Sequence, residues 1–212
     1  LFSALRSLLS RAPFPATRSN TLPGVEIAQL PRRTASLVLQ PFQRRDVDPL
    51  VEAIRASLPE LKLWLPWPHD FYDKVDALRF IRDSNKAWRE QRAFDFAIRR
   101  EGDARHLGNV SIWYTSRPNH CGEIGYWVRS EVTGTGIGTE VTRAMLRMGF
   151  EDMGLHRITL RIAVGNVGSE RIAEKLGFTK EGILREVIEV AGRRVDHSVH
   201  SLLRHEWQAA RP

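Results

Sequence analysis

The chain has 212 residues, of which 42% are hydrophobic and 27% are charged, as expected for one globular domain with a hydrophobic core. No run of about 18 apolar residues occurs, so the sequence excludes a hydrophobic membrane-spanning helix. The single cysteine, Cys121, excludes an internal disulfide framework and is compatible with a reducing compartment. We therefore expect a cytoplasmic protein without a membrane partner.

A net charge of +7 favours acidic partners, such as nucleic acid, the ribosome or a cofactor that carries several phosphates. No run of lysine and arginine is interleaved with aromatic residues, so direct binding to nucleic acid is only weakly supported. We expect most of these charges to lie on the solvated surface.

Residues 1–25 differ from the rest because they carry three arginines and no acid. Their amphipathic, Arg- and Ser-rich pattern resembles an organelle transit peptide. The alternative, which we prefer, is a weakly structured extension whose prolines interrupt regular structure. We expect the extension at residues 1–33, a single domain at 34–207 and a short tail at 208–212.

The first part of the domain contains short apolar runs and two segments with helical periodicity. A loop at 63–70, L-W-L-P-W-P-H-D, follows the first helix and is predicted either to line a substrate opening or to fill the core. The predicted elements are a strand at 34–40, a helix at 46–58 that Asp46 or Asp48 could cap, a helix at 73–91, and strands at 94–99 and 107–113.

The second part of the domain alternates strands and helices and ends in a hairpin. Gly177 is a typical helix stop, and Ala191–Gly192 is a turn signal. The predicted elements are strands at 123–129 and 157–163, helices at 140–153 and 166–176, and hairpin strands at 183–190 and 193–203. Together these elements predict an α/β (α+β) domain with a mixed, largely antiparallel sheet.

Gly134, Gly136 and Gly138 lie between a predicted strand and a predicted helix. Glycine lets main-chain N–H groups approach a bulky anion, and the start of a helix carries roughly half a positive charge. The segment is therefore a candidate phosphate site, although a simple turn explains the spacing equally well. The G-x-G-x-G spacing fits neither the dinucleotide fingerprint nor a P-loop, which ends in Gly-Lys-Ser/Thr.

An ordered set of motifs resembles the GNAT superfamily of acyl-CoA-dependent N-acetyltransferases, and within it the branch that acetylates ribosomal proteins (RimJ/RimL-like). The resemblance covers residues 34–207 and implies a twisted sheet of about six to seven strands, splayed at its centre, with about four flanking helices. The motifs are R-T-A-S-L-V-L-Q-P-F, L-W-L-P-W, E-I-G-Y-W-V, T-G-T-G-I-G-T, N-V-G-S-E-R-I-A-E-K-L-G-F, E-G-I-L-R-E and S-L-L-R-H-E-W.

The resemblance implies acetyl-CoA as the cosubstrate and no metal. The pantetheine arm would lie between the strands at 123–129 and 157–163, and the pyrophosphate would lie on N–H groups of residues 134–139. Thr133 stands where the family usually has Arg or Gln, which we expect to tune the cofactor contact. The implied cofactor-binding residues are Trp127, Val128, Thr133, Gly134, Thr135, Gly136, Ile137, Gly138, Thr139, Asn166 and Ser169.

The reaction needs a group that stabilises the oxyanion and an acid that protonates the departing thiolate. We predict that the main-chain N–H of Val128 polarises the thioester carbonyl. Ala173 stands where many members of the superfamily have a tyrosine acid, so Ser169, or a water that it holds, is our candidate acid. The alternative is that Ser169 only satisfies a free N–H group at the helix start.

The candidate base is Glu123, which could take the amine proton directly or through water. The alternative is an exposed carboxylate at the end of a strand. Ile188 stands where some members of the branch have a glutamate, so no role is transferred to it. Further candidates on the final hairpin are Glu186, Glu189, His197 and His200.

The acceptor is predicted to be the α-amine of a protein, because an α-amine has a pKa near 8 and lysine one near 10.4. Deprotonating lysine at neutral pH therefore costs about 3 kcal/mol more, which matters in a site without an obvious strong base. The alternatives are acetylation of a small amine, or an acyl-CoA-binding module with little catalysis. We expect the protein to be a monomer or a homodimer.

Overall fold

The structure is a computed structural model that describes residues 26–209. The predictions made for residues 1–25 and for the last three residues lie outside this range. Within it, no helix is long and apolar enough to cross a membrane.

The described residues form one sheet of eight strands in the order β1-β2-β3-β4-β5-β6-β8-β7. Every neighbouring pair is antiparallel except β5 and β6, which are parallel. The strands are β1 Arg32–Arg33, β2 Leu37–Pro41, β3 Ala93–Arg100, β4 Gly108–Ser116, β5 Cys121–Val128, β6 Arg157–Ala163, β7 Thr179–Val190 and β8 Arg193–Leu203.

Six α-helices accompany the sheet in residues 26–209, and a π-helical segment at Met148–Asp152 extends the fourth. The third helix has a capping box, because the Asp73 side chain accepts from two first-turn N–H groups and Asp76 bonds back to the main chain of Asp73. The helices are α1 Val47–Ala56, α2 Leu58–Trp64, α3 Lys74–Arg89, α4 Ile137–Arg147, α5 Val167–Lys175 and α6 Arg204–Ala209.

The core has two layers, one on each face of the sheet. Trp113 and Trp127 pack with α1 and α3 on one face. Phe94, Ile112 and Ile124 pack with α4 and α5 on the other face. The sheet is therefore covered on both faces, as expected for an α/β domain.

The structure confirms the α/β class and the mixed, mostly antiparallel sheet, with one more strand and two more helices than the sequence predicted. The extra elements are the short β1, α2 and α6. Asp46 precedes α1 but makes no side-chain cap, because its buried carboxylate accepts from Arg99 at 2.8 Å and from the Gln43 N–H at 2.7 Å.

Candidate active site

A gap opens between β5 and β6 at the centre of the sheet. The two strands pair only at Cys121–Arg157, Gly122–Ile158 and Glu123–Thr159. Beyond Glu123, β5 continues to pair with β4 as far as Val128, and β6 continues to pair with β8 as far as Ala163. The two strands therefore diverge and leave main-chain groups without a strand partner on both sides of the gap.

Alternation along β5 decides which main-chain groups face this gap. The Arg129 N–H donates to the Leu107 carbonyl at 2.8 Å, on the β4 side. Main-chain groups two residues apart in a strand point the same way, so those of Trp127 also face β4. Tyr126 and Val128 therefore present their N–H and C=O groups to the gap. Of the two residues predicted to contact the pantetheine arm, Val128 has its main-chain groups toward the gap and Trp127 has them toward β4.

The predicted glycine loop leads from β5 into α4. Gly134 has φ +76° and Gly136 has φ +90°, conformations that favour glycine. Gly136 is the N-cap residue, and no side chain caps the helix. The first N–H groups of α4, those of Ile137, Gly138 and Thr139, therefore lack a helical partner.

Gly138 lets α4 approach α5 closely. A Cβ atom placed at Gly138 would lie 2.6 Å from Cδ1 of Ile172, a separation that real side chains do not adopt. A side chain at this position would therefore require the end of the Ile172 side chain to shift.

The threonines of the loop bind the main chain. The Thr133 hydroxyl donates to the Ser130 carbonyl at 2.8 Å, and the Thr135 hydroxyl donates to the Val132 carbonyl at 2.7 Å. Their hydroxyl protons are therefore engaged in holding the loop, and neither replaces the longer Arg or Gln donor that the family usually has at Thr133.

A cavity of about 450 Å³ lies beside this loop. Its walls include Val128, Thr133, the three loop glycines, Asn166 and Ser169. Arg171 and Lys175 also line it, one turn apart on α5, and Glu60 of α2 is the one acid among its described lining residues, so its charged side chains sum to a positive charge. An elongated anionic molecule fits the charge and the open N–H groups of this cavity.

A second, smaller cavity of about 80 Å³ adjoins the first at the gap. The residues common to both cavities are Trp64, Leu65, Tyr126, Asn166 and Ser169. Glu123 pairs with Trp113, which packs under α1 and α3, so Glu123 lies on that face of the sheet. The gap is therefore a passage through the sheet, with the glycine loop on one face and Glu123 on the other.

Ser169 lies at the junction of the two cavities in the first turn of α5. Asn166 is the cap of this helix, because its side-chain oxygen accepts from the Ser169 N–H at 3.2 Å. Asn166, rather than Ser169, is therefore the cap residue of α5. That hydroxyl lies beside the Tyr126 hydroxyl, outside strict hydrogen-bond geometry. Burial raises the pKa of Tyr126 to about 12, so the phenol keeps its proton at neutral pH.

Glu123 is only 6% exposed, so the alternative of an exposed strand-end carboxylate is wrong. Both of its oxygens accept from Nε and Nη2 of Arg161, at distances of 2.7 to 3.0 Å. Burial raises the pKa of the Glu123 carboxyl, and the Arg161 guanidinium opposes the rise. A carboxyl with a raised pKa accepts a proton more readily than an exposed one.

His197 lines the smaller cavity on the same face as Arg161, since it pairs with Ala163, two residues further along β6. It is 5% exposed, and neither ring nitrogen has a hydrogen-bond partner within the described range. Burial and, to a smaller extent, the charge of Arg161 together lower the pKa of His197 to about 4. The imidazole is therefore neutral at physiological pH.

The other proton acceptors considered on the final hairpin lie elsewhere. Glu186 and Glu189 are exposed, and Glu189 lies 3.5 Å from Arg194. His200 is buried, but its Nε2 lies 3.0 Å from the Ser198 hydroxyl and it lines neither cavity. Ile188 contributes an apolar wall to the smaller cavity.

The segment 63–70, predicted as a loop, begins inside α2, and its residues divide between a cavity wall and the core. Trp64, Leu65 and Pro66 line the smaller cavity, whereas Trp67 packs against the core under α1 and α3. No cluster of side chains within residues 26–209 could hold a metal ion. The gap and the smaller cavity therefore offer main-chain donors, one buried ion pair and neutral polar side chains.

Sequence patterns missed Tyr126, Arg161, Arg171 and Lys175. Two signals were available: alternation in E-I-G-Y-W-V places Tyr126 on the face opposite Glu123, and the spacing of Arg171 and Lys175 places them on one helix face. The Arg161 contact depends on the parallel pairing of β5 with β6, which no local pattern reveals.

Comparison with known proteins agrees with this geometry. The family described as "Acetyltransferase (GNAT) domain" matches residues 36–179. "Putative ribosomal N-acetyltransferase YdaF" of Bacillus subtilis (strain 168) is 28% identical over 177 residues, covering 81% of this chain and 93% of the relative.

Solved structures of acetyltransferases also superpose on this chain. RimJ of Mycobacterium smegmatis, solved in complex with CoA-disulfide, superposes with a TM-score of 0.77 at 25% identity, covering 83% of this chain and 88% of that one. A second crystal structure, titled as a probable acetyltransferase, gives a TM-score of 0.79 at 26% identity over 85% of this chain and all of that one. The chain therefore belongs to the GNAT family of acetyl-CoA-dependent N-acetyltransferases.

Proposed function

We propose that the protein transfers the acetyl group of acetyl-CoA to the N-terminal α-amine of a protein, with a ribosomal protein as the leading candidate. The observation that carries the proposal is the passage between β5 and β6. This passage joins a positively charged cavity, with main-chain N–H groups that have no helix or strand partner, to a small cavity that contains a buried carboxylate.

The larger cavity fits CoA. Its phosphates would be held by the N–H groups of Ile137, Gly138 and Thr139, with added charge from Arg171 and Lys175. The pantetheine amides would pair with the free main-chain groups of Tyr126 and Val128, as an additional strand does at a sheet edge. Of the remaining predicted contacts, Thr133, Gly134, Gly136 and Asn166 belong to the same wall, whereas Thr135 does not line the cavity.

The reacting carbonyl would lie in the gap, where Val128 N–H has no strand partner. As the amine attacks, negative charge develops on the carbonyl oxygen, and a fixed donor in a site with little water stabilises that charge strongly. Because this N–H belongs to a strand held by β4, it needs no rearrangement during the reaction.

Glu123 would accept the proton that the nitrogen loses when the C–N bond forms, directly or through a water. Its raised pKa supports this role, and Arg161 holds it in place from β6. Ser169, or a water that it holds, would give a proton to the departing thiolate. Tyr126 lies beside Ser169, and its raised pKa keeps the phenol protonated while Ser169 acts.

An α-amine acceptor is supported by the charge of the residues that line the smaller cavity. Apart from the Glu123–Arg161 pair, whose charges balance, its described lining residues carry no charge at neutral pH. Such a site does not compensate the charge of a lysine or polyamine ammonium, whereas an α-amine is partly neutral at pH 7. The name of the ribosomal relative agrees with a protein acceptor.

The proposal is tested by measuring thiol release from acetyl-CoA with peptides that carry a free or a blocked N-terminus, and with spermidine and lysine. We expect turnover that depends on the free α-amine and acetylation at that nitrogen by mass spectrometry. Faster turnover of spermidine than of every peptide would favour the small-amine alternative. Labelled acetyl-CoA and a bacterial ribosomal-protein extract would then identify the acceptor.

A further inference from the structure

His197 has an unusual environment for a buried histidine. It lies in the wall of the smaller cavity, 5% exposed, and both of its ring nitrogens lack partners within the described part of the chain. Leaving a buried polar atom without a hydrogen bond costs about 1 to 3 kcal/mol. The fold therefore gains no hydrogen-bond stabilisation from these nitrogens, although the side chain that carries them lines the cavity.

The charges around His197 determine what it can bind. Arg161 is the cation whose charge lowers the pKa of His197, Asp196 precedes His197 on β8 and opposes that effect, and Glu123 is paired with Arg161. An imidazolium next to the Arg161 guanidinium would be unfavourable, so the ring stays neutral. A neutral imidazole has one N–H donor and one nitrogen acceptor.

We propose that His197 binds the acceptor nitrogen: its unprotonated ring nitrogen accepts a hydrogen bond from the neutral amine and directs the amine lone pair across the gap. This inference rests on the proposed function. Glu123, not His197, receives the proton when the C–N bond forms, because an imidazolium would face Arg161. The ligand class is an uncharged primary amine, since a protonated amine has no lone pair to direct.

The proposal is tested with His197→Leu and His197→Gln, using an N-terminally free peptide as the acceptor. Removing one hydrogen bond to the nucleophile should lower kcat/KM for the peptide about tenfold or more in His197→Leu. His197→Gln keeps an acceptor oxygen and should recover much of the loss. KM for acetyl-CoA should stay within about twofold of the wild-type value in both variants.

Thermal stability separates this role from a structural one. His197→Leu removes two unpartnered polar atoms, so its Tm should equal or exceed that of the wild type while its activity falls. His200→Leu is the matched control, because His200 is equally buried on the same strand but has a partner in Ser198. That control should lose stability and keep its KM for the peptide.

The proposal is overturned if His197→Leu keeps the wild-type kcat/KM. It is also overturned if a lowered Tm accounts for the loss of activity in His197→Leu and if His197→Gln does not recover activity. A readout independent of turnover is the ¹⁵N chemical shift of the His197 ring in the presence of CoA, with the peptide then titrated in. An unchanged shift at saturating peptide overturns the inference. Wild-type enzyme that binds acetyl-CoA but acetylates no amine would instead overturn the proposed function.

Discussion

The carboxylate of Glu123 and the guanidinium of Arg161 join β5 to β6 just where the main-chain pairing of the two strands ends. The last strand pair is Glu123–Thr159, and Arg161 lies two residues further along β6, on the same face. A side-chain ion pair thus takes over from the main-chain hydrogen bonds at the mouth of the gap. It holds the two strands together while leaving the space between them open.

The ion pair makes a prediction that separates stability from catalysis. Glu123→Gln leaves the buried Arg161 charge unpaired and should reduce the free energy of unfolding by about 3 kcal/mol. The double variant Glu123→Gln, Arg161→Leu removes both charges and should recover most of that stability, as measured by urea unfolding. Activity should stay low in the double variant if Glu123 takes the proton. Recovery of activity together with stability would limit Glu123 to a structural role.

A second prediction concerns Ser169, at the junction of the two cavities. Ser169→Ala should lower kcat about tenfold to a hundredfold without changing KM for acetyl-CoA, because the thiolate loses its proton source. Tyr126→Phe should lower kcat less, since Ser169 or water still contacts the thiolate. Stopped-flow thiol detection from pH 6 to 10 provides the measurement. Equal kcat values for wild type and Ser169→Ala across that range would exclude the acid role.

Arg171 and Lys175 are predicted to compensate for Thr133. Arg171→Gln combined with Lys175→Gln should raise the Kd of CoA about tenfold and flatten its dependence on salt concentration, because two cations next to phosphates are lost. Arg143→Gln combined with Arg147→Gln removes an equal charge from exposed positions of α4 that line neither cavity, and should leave the Kd unchanged. Isothermal titration calorimetry at two salt concentrations tests this prediction. An unaltered Kd in the double variant would contradict it.

Because the protein has buried histidines, we predict that its free energy of unfolding falls in mild acid. Burial lowers the pKa of His106 to about 3 in the folded protein, against about 6.5 for an unfolded histidine. The unfolded chain therefore binds more protons between these values, so stability is complete above about pH 6.5 and falls as the pH is lowered. From pH 7 to 5, His106 should account for a loss of about 2 kcal/mol.

Chemical unfolding at several pH values checks this slope. His106→Gln removes the titrating group and should show a shallower pH dependence, whatever its absolute stability. His205→Gln, at an exposed position, is the control and should retain the wild-type slope. A His106→Gln slope identical to that of the wild type would locate the acid sensitivity elsewhere, with His197 as the next histidine to test.

The sequence predicted most elements because their signals are local. The alternation of R-I-T-L-R-I-A predicted β6 with its observed ends, and Asn166 and Gly177 mark the ends of α5 through a side-chain cap and a φ of +78°. It missed α2, where Ser57 interrupts one helix and Leu58-Pro59 begins the next within an apparently continuous pattern. Proline is well tolerated in a first helical turn, so it marked a start rather than an end.

The candidate site was predicted less completely, because it depends on contacts between distant strands. The glycine loop is a local motif, and its positive φ values and uncapped helix follow the expectation. Glu123 is buried where Arg161 reaches it from the neighbouring strand β6. The ring nitrogens of His197 lack hydrogen-bond partners because of how β8 packs against β6. Neither fact could be read from the residues adjacent to these side chains in the chain.

The opening through the sheet has a kinetic consequence. Donor and acceptor would enter from opposite faces, so neither has to leave before the other arrives, and acetyl would pass directly from sulfur to nitrogen. Cys121, the one thiol of the chain, lines neither cavity and could not store the acetyl group. Initial-rate plots with both substrates varied should therefore give intersecting lines, whereas parallel lines would signal a covalent acetyl-enzyme.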